Sequence, residues 1–537
     1  MSSGQRRARR PPTSSRSDPP TPIASRSMGG AFLAPLAFTA GLLALTLVPR
    51  IGDHPALRWS FWGAAAVLLA WQAALAVRSR REGVPVLHLP TPRPQHYVQA
   101  LCQIGIYAYW GWHWPPVYDF MPLLAGQLLF AFAFDLLLAW SRREPYQLGF
   151  GPFPIILSTN LFLWFTDDWF SLQFLLVAVG FLGKAFVRWE RDGRRVHIFN
   201  PSAFTLAIFS VALLLTDSTH LTWGQEIATT FGAGPNIYLV VFTVGLVVMY
   251  FFSITPVTAS AAATLFGASA LYGAVTGVPY FIDSEIPAAV FLGLHLLVTD
   301  PSTSPRTPLG RGLFGVLYGL SVFALYAVLG AIGLPTFYDK LMAVPLLNLA
   351  VPGIDRLVRA IGERPVLERL GLTGPLGRLN PAHMAVWIVL FAAMAARGGA
   401  DGMHRGDALP FWEQACSDER PQACERLIRL EVSYCGDNAG WACNELGRHY
   451  VEGRLVPADL DLAFVYFSRA CETRFQPACL NLLEPSAALG GDPRALDLRL
   501  LLREGGHNLL DMPEPDLYAR ACRHGWSFAC DRQAASR

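Results

Sequence analysis

The chain has 537 residues and a formal net charge of +3, with 52% of its residues hydrophobic and 15% charged, against about 25% charged in an ordinary soluble domain. Mean hydropathy is +0.33. So little charge cannot cover the surfaces of several soluble domains, which excludes a wholly soluble enzyme, a disordered chain and a secreted disulfide miniprotein, and places most of the protein in lipid. The small net charge gives no sign of nucleic-acid binding.

Residues 1–28 are polar, with six arginines among Ser, Thr and Pro and one acid, Asp18. They read as a disordered basic cytoplasmic tail rather than a signal peptide, whose apolar core would start earlier and be followed by a small-residue cleavage site. Residues 29–397 are a transmembrane domain. A bilayer core takes about 20 mostly apolar residues per helix, and apolar runs stand near 31–50, 59–77, 97–114, 117–140, 148–166, 168–187, 198–217, 236–255, 257–276, 284–299, 310–333, 338–355 and 383–397, which predicts about thirteen spans. The positive-inside rule fits this count. Every second loop is basic (Arg78/Arg80/Arg81, Arg142/Arg143, Arg188/Arg191/Arg194/Arg195, Arg306/Arg311, Arg356/Arg359/Arg364/Arg369), while the loops between carry Asp167/Asp168, Asp217/Glu226 and Asp283/Glu285. An odd number of spans puts the C-terminus outside the cytoplasm.

Residues 398–537 hold 15 Arg, 21 Asp+Glu and eight of the nine cysteines. Cys416 and Cys424, Cys435 and Cys443, Cys471 and Cys479, and Cys522 and Cys530 form four pairs, each eight positions apart. Such even pairing reads as a disulfide framework of an oxidising compartment; the rival is a metal site, although zinc ligands more often come as CxxC or with nearby histidines. Cys435 to Cys471 and Cys443 to Cys479 both span 36 residues, and each unit reads as two short helices, ACNELGRHYVEG and DLDLAFVYFSRAC. The segment resembles Sel1-like repeats of the cysteine-rich secreted kind, with ACxxLGxxYxxG paired to a later AxxYFxxAC. The resemblance is clearest over 435–482 and implies an extracytoplasmic α/α array that binds a protein partner.

Strongly polar residues at membrane depth are functional hypotheses, and here they gather at predicted cytoplasmic helix ends. RRVHIFNPSAF (194–204) starts one helix, HLLVTDPSTSP (295–305) leaves another, and LMAVPLLNLAVPGIDRL (341–357) forms a third. Together the three motifs resemble the membrane-subunit family that contains the B subunit of the sodium-pumping NADH:quinone reductase and the D subunit of the Rnf complex, nearest the branch found with enediyne biosynthesis clusters, which the WGQ at 223–225 matches. The likeness covers about 90–360. It implies membrane electron transfer through flavins, with Asn200, Pro201, Thr299, Asp300, Asn348 and Asp355 as cofactor- or ion-binding candidates. Family members carry FMN on a threonine of a Ser-Gly-Ala-Thr stretch; the corresponding loop here has Thr229 and Thr230 without that stretch, so the resemblance implies flavin held non-covalently and disfavours covalent FMN.

Each motif also has a structural reading. Asn is a preferred helix cap and Pro fits the first turn; Asp300-Pro301 can simply end a helix; Asp355 with Arg356 and Arg359 can mark the headgroup boundary. His295 reads as a packing residue, and the aromatic run YAYWGWHWPPVY (107–118) as an interfacial belt. No P-loop, dinucleotide fingerprint, haem CxxCH or iron–sulfur cysteine run is present, and no catalytic residue or resident metal site is expected. The expected fold is therefore all-α: a polytopic transmembrane helical bundle with an extracytoplasmic α/α repeat domain. The expected function is that of an integral membrane subunit of an electron-transport complex, with non-covalent flavin (FMN or riboflavin) or quinone. Its expected partners are other membrane electron-transfer subunits, the lipid bilayer and an extracytoplasmic protein, and no nucleic acid; the expected location is the bacterial inner membrane with a periplasmic tail. A non-redox transporter or anchor that displays the repeats is the alternative.

Overall fold

Lipid offers the backbone no hydrogen-bond partner, so a chain this apolar satisfies its amides within helices. The computed structural model describes residues 28–82, 87–88, 94–144, 146–191, 193–232, 234–281, 284–362, 376–398, 404, 406, 409–436, 438–473, 475, 478–479, 481 and 534. The expected cytoplasmic tail up to residue 27 lies outside the described residues, and so do Cys522 and Cys530, the fourth expected disulfide pair.

In chain order the principal helices are α1 (Met28–Ala44), α2 (Pro55–Glu82), α3 (Pro94–His113), α4 (Met121–Ser141), α5 (Pro152–Asn160), α6 (Ser171–Phe186), α7 (Pro201–Leu215), α8 (Gly224–Gly232), α9 (Ile237–Phe252), α10 (Thr255–Thr276), α11 (Ala288–Leu296), α12 (Pro308–Ala331), α13 (Asp339–Gly362), α14 (Leu376–Ala396), α15 (Leu409–Ser417), α16 (Ala423–Gly436), α17 (Gly440–Glu452) and α18 (Leu460–Glu472). Among the described residues, strand structure amounts to a two-residue parallel pairing of Leu87–His88 with Tyr146–Gln147 and an antiparallel hairpin, Arg188–Arg191 with Arg194–His197. Gly193 takes φ +70° at the hairpin turn, which an Asp-Gly pair accommodates.

Among the described residues, six helices are long and apolar enough to cross a membrane: Pro55–Ser79, Pro116–Ser141, Thr255–Thr276, Pro308–Ala331, Thr336–Ile361 and Leu379–Ala396. The runs at 31–50, 168–187 and 198–217 form shorter apolar helices, Phe32–Leu47, Ser171–Phe186 and Pro201–Leu215, and α9 is the longer arm of a bent pair with α8. The runs at 148–166 and 284–299 depart most from expectation. Each holds only a nine-residue helix, α5 or α11, followed by non-helical backbone at 161–166 and 297–307. The physical reason is that the freed backbone finds partners elsewhere: Trp223 donates its N–H to the Trp164 carbonyl at 2.8 Å, and Phe165 donates to Gln173 Oε1 at 3.0 Å.

The chain divides into two compact units. The first, Met1–Tyr97 with Tyr118–Leu157 and Phe165–Phe181, is held by apolar helices and a few buried polar bonds. Phe61 packs against Gly126, Phe170 and Phe174; buried Gln173 donates to buried Gln127 at 3.1 Å; and Arg50 pairs with Asp167 at 2.8 Å. The second unit, Val98–Val117 with Ser158–Trp164 and Leu182–Arg537, contains the three motif segments and the cysteine-rich tail. Its central pair is α10 with α12, joined through Gly315 and Gly319, a GxxxG spacing that lets membrane helices approach closely. A Cβ on Gly315 would stand 2.2 Å from the Val257 carbonyl oxygen, and one on Gly319 2.9 Å from that of Ala261.

In the tail, α15 to α18 pack each on the next around Trp412, Trp441, Phe464 and Phe467. Gly447 admits the Phe467 ring where a Cβ would meet it at 2.6 Å. Disulfides Cys416–Cys424 and Cys435–Cys443 link the end of one helix to the first turns of the next, and Cys471–Cys479 ties the end of α18 to the chain just beyond it. These are three of the four expected bridges; the structure describes neither Cys522 nor Cys530, so the pairing of Cys522 with Cys530 stays an expectation from their spacing. Loops this short gain about 2–4 kcal/mol from a closing disulfide. Among the described residues Cys102 is a free thiol.

Two outcomes follow from this packing. Gly315→Leu drives a side chain into helix backbone that cannot move aside, so it should cost more than the about 1–3 kcal/mol of ordinary overpacking, read as loss of monodisperse protein or a lowered Tm. All eight tail cysteines, Cys522 and Cys530 included, should resist alkylation until reduced, whereas Cys102 should react on unfolding without reductant; counting labelled peptides by mass spectrometry checks both.

Candidate functional site

Asn200 and Pro201 begin α7. The Asn200 side-chain oxygen accepts from the backbone N–H of Ser202 at 3.0 Å and of Ala203 at 3.2 Å, and Pro201 fills the first helical position, where a missing N–H costs nothing. The same residue reaches two other segments. Its Nδ2 donates to the Leu297 carbonyl at 3.0 Å, and its backbone N–H donates to Asn348 Oδ1 at 3.2 Å. Asn348 in turn donates from Nδ2 to the Thr303 carbonyl at 3.1 Å. It lies in α13 between Pro345 and Pro352, which interrupt the helical hydrogen-bond ladder. Asn200 is 8% exposed and Asn348 fully buried, so these bonds form away from water.

Thr299 donates to the His295 carbonyl at 2.6 Å and so finishes α11. Asp300 turns back on its own loop: Oδ1 accepts from the Ser302 N–H at 2.9 Å and from Ser302 Oγ at 2.6 Å, while Oδ2 stands 3.5 Å from His197 Nε2. Burial pushes the Asp300 carboxyl up, but the His197 and Ser302 interactions outweigh it and hold the group below the usual Asp value. Asp300 thus meets His197 and Ser302, while Asn348 meets the Asn200 N–H and the Thr303 carbonyl. Asp355 pairs with Arg191 at 2.7 Å and accepts from the Arg306 N–H at 3.4 Å. Arg191 and His197 both belong to the hairpin, which therefore ties the TDPSTSP and NLAVPGID segments together.

Ser302, His197 and Asp300 are the residue types of a hydrolase triad without its geometry. Ser302 gives its proton to Asp300, and His197 meets both partners through one nitrogen, Nε2 at 2.9 Å from Ser302 Oγ. A triad needs the carboxylate on the other ring nitrogen and the serine proton aimed at the histidine. The arrangement fixes segments in place and does not activate a nucleophile.

Thr229 and Thr230 lie on α8. The Thr230 hydroxyl donates to the Glu226 carbonyl at 2.7 Å and accepts from Trp110 Nε1 at 3.3 Å. Trp110 is stacked with Trp114 at 5.5 Å and lies 5.3 Å from Trp164, so the aromatic run packs inward around this helix as well as outward, where Trp112 is exposed. His295 donates from Nδ1 to the Phe291 carbonyl at 2.8 Å, and its ring edge occupies the space where a Cβ on Gly245 would stand. Sequence reasoning did not single out His197, Arg191, Ser302 or Arg311 as site residues; the available signal was a histidine three residues before Asn200, inside a basic loop with an Asp-Gly turn.

Asp300→Asn should lower Tm near neutral pH, since hydrogen bonds to a charged group contribute about 1.5–3 kcal/mol. A carboxyl held below its unfolded value stabilises fully above that value, about 3.9, and the stabilisation is lost as pH falls through the lower folded pKa. The gap between wild type and variant should therefore close under acid conditions; a constant gap down to the lowest pH at which both stay folded removes the carboxylate from the account. Compared with family models, curated proteins and solved structures, the chain matches none, so its function is argued from these residues.

Proposed function

We propose that the chain is a membrane subunit that passes electrons through a non-covalently held flavin (FMN or riboflavin) or a quinone, within a larger assembly that supplies donor and acceptor. The observation that carries the reading is the direct bonding of FNPSAF, TDPSTSP and LNLAVPGID at one end of the helices, although about a hundred and about fifty residues separate them. Helix capping alone does not call for three such segments to meet. The family that these motifs resemble works by flavin electron transfer. Covalent FMN has little support, because Thr230 is engaged by Trp110 and the loop lacks Ser-Gly-Ala-Thr.

In this reading the chain crosses the bacterial inner membrane about thirteen times. The six long helices are joined by α9, the three shorter apolar helices, α3 and the two segments built on α5 and α11. The alternation of basic loops supports a cytoplasmic N-terminus, a cytoplasmic motif end and a periplasmic tail. Disulfides in that tail suit an oxidising compartment. The tail is a Sel1-like array offering a surface to a protein partner. A second reading, a non-redox transporter or anchor carrying the repeats, is favoured by one observation: Asn200 and Asn348 already bond to one another and to backbone.

An absorbance spectrum of the detergent-purified protein separates the two. Near-stoichiometric flavin absorbance, or co-extracted quinone, is expected; a colourless protein without quinone, purified together with its membrane partners, leaves the anchor reading. Reporter fusions at the two termini should report opposite sides of the membrane, and a shared side overturns the odd span count.

A further inference from the structure

We propose that Arg191 and Arg311 hold a doubly charged phosphate monoester at the motif end of the helices. The inference goes beyond electron transfer and stands whether or not the chain carries electrons.

It begins from a cation with no formal counter-charge. Arg311 is 5% exposed, yet its guanidinium donates only to two carbonyls, Pro305 (Nε, 2.9 Å) and Ser253. Among the described residues no carboxylate lies within ion-pair distance of it. A buried charge without an opposite charge is costly. Three features sharpen the cost. Arg191 lies on the neighbouring carbonyl, Ser304, at 3.2 Å, so two guanidinium groups are held by consecutive peptides of the same loop. Asp355 is already taken by Arg191 at 2.7 Å, while a third, exposed arginine, Arg359, donates to the Asp355 backbone oxygen at 3.1 Å. Arg311 also stands in the first turn of α12, which has no acidic residue there, at the positive end of a 24-residue helix.

The C-terminal end of α9, capped at Ser253, offsets part of this, because carbonyls at a helix end favour a cation. A half-charge of helix dipole does not neutralise two guanidinium groups, Arg191 and Arg311, that have one carboxylate, Asp355, between them. The excess is one buried positive charge, with the exposed Arg359 nearby as a second, and arginine pairs match the oxygens of phosphate by bidentate hydrogen bonding. A phosphate monoester dianion supplies the missing charge and geometry together. The same chemistry belongs to a phosphatidic-acid headgroup and to a soluble phosphate ester.

The test uses the full chain. In neutral detergent, its Tm is followed with inorganic phosphate against chloride at matched ionic strength. In nanodiscs, phosphatidic acid is compared with phosphatidylglycerol at equal membrane charge. A rise of at least about 2 °C over the control is expected in one arm or both. A response to phosphate marks a soluble ester, and a response to phosphatidic acid alone marks a lipid headgroup. Arg311→Lys should keep a weakened response, and Arg311→Gln should lose at least about tenfold in apparent affinity. If Arg311→Gln fails to fold, Arg359→Gln, altered at an exposed side chain, should still weaken the response about threefold. No shift in either arm, or a folded Arg311→Gln or Arg359→Gln that responds as wild type does, overturns the proposal.

Discussion

Backbone that leaves the helical pattern inside an apolar protein has to find its hydrogen bonds in other residues, because lipid supplies none. Three asparagines meet that demand in the second unit. Asn200 caps α7 and holds the Leu297 carbonyl, where α11 has just ended; Asn348 holds Thr303 further along the same irregular stretch. Asn380 in α14 donates to the carbonyls of Met249 and Tyr250 at the end of α9 and accepts from Thr255 Oγ1 at the start of α10. An amide is suited to this work: it donates and accepts at once and carries no charge. Leaving any one of these carbonyls unmade would cost about 1–3 kcal/mol. The motif residues thus have a structural duty that any cofactor-binding role has to share.

The cysteine-rich tail is joined to the membrane segments by the same means, side chains holding backbone carbonyls. Arg426 lies under the ring of Trp412 and donates to the carbonyls of Pro279 and Tyr280; Arg420 donates to Gly277 at 3.0 Å. Val278, between those carbonyls, is fully buried in the tail's own core. Tyr280 is stacked on Phe323 of α12 at 3.6 Å. Both arginines flank Cys424, so the first disulfide steadies the turn that carries them. A domain merely tethered for display would leave this loop free of its core.

What could be read from the residues followed from how local each signal is. Cysteines eight apart can meet across one tight turn, and helices of 18–26 mostly apolar residues are long enough for a span. The breaks after α5 and α11 were invisible because hydropathy reports side chains, whereas the breaks are set by amide partners 59 to 97 residues away, Trp223 for Trp164 and Asn200 for Leu297. Asn200 was legible as a cap, since Asn-Pro declares itself. Its second partner, Asn348, was not, and neither was the place of His197, whose carboxylate partner stands about a hundred residues downstream. The same distance hides Arg311, which sequence alone reads as one more basic residue beside a membrane.

One helix connects these observations. α10 runs 22 residues, about 33 Å at 1.5 Å per residue. Just before it, Arg311 holds the Ser253 carbonyl; just after it, Arg420 holds Gly277 and Arg426 holds Pro279 and Tyr280. Between those ends Gly315 and Gly319 of α12 press against its backbone at Val257 and Ala261, beside the Ser260 and Thr264 side chains. A strut fixed at both ends and along its length resists bending, so the tail and the motif end keep a set separation. Coupling between distant sites requires an element with two arrangements, and nothing about α10 supplies a second one. Anything bound to the cysteine-rich tail would therefore be held at a fixed distance from the motif end rather than signal through α10. Under the proposed electron-transfer reading, a task that depends on distance would use such a fixed separation.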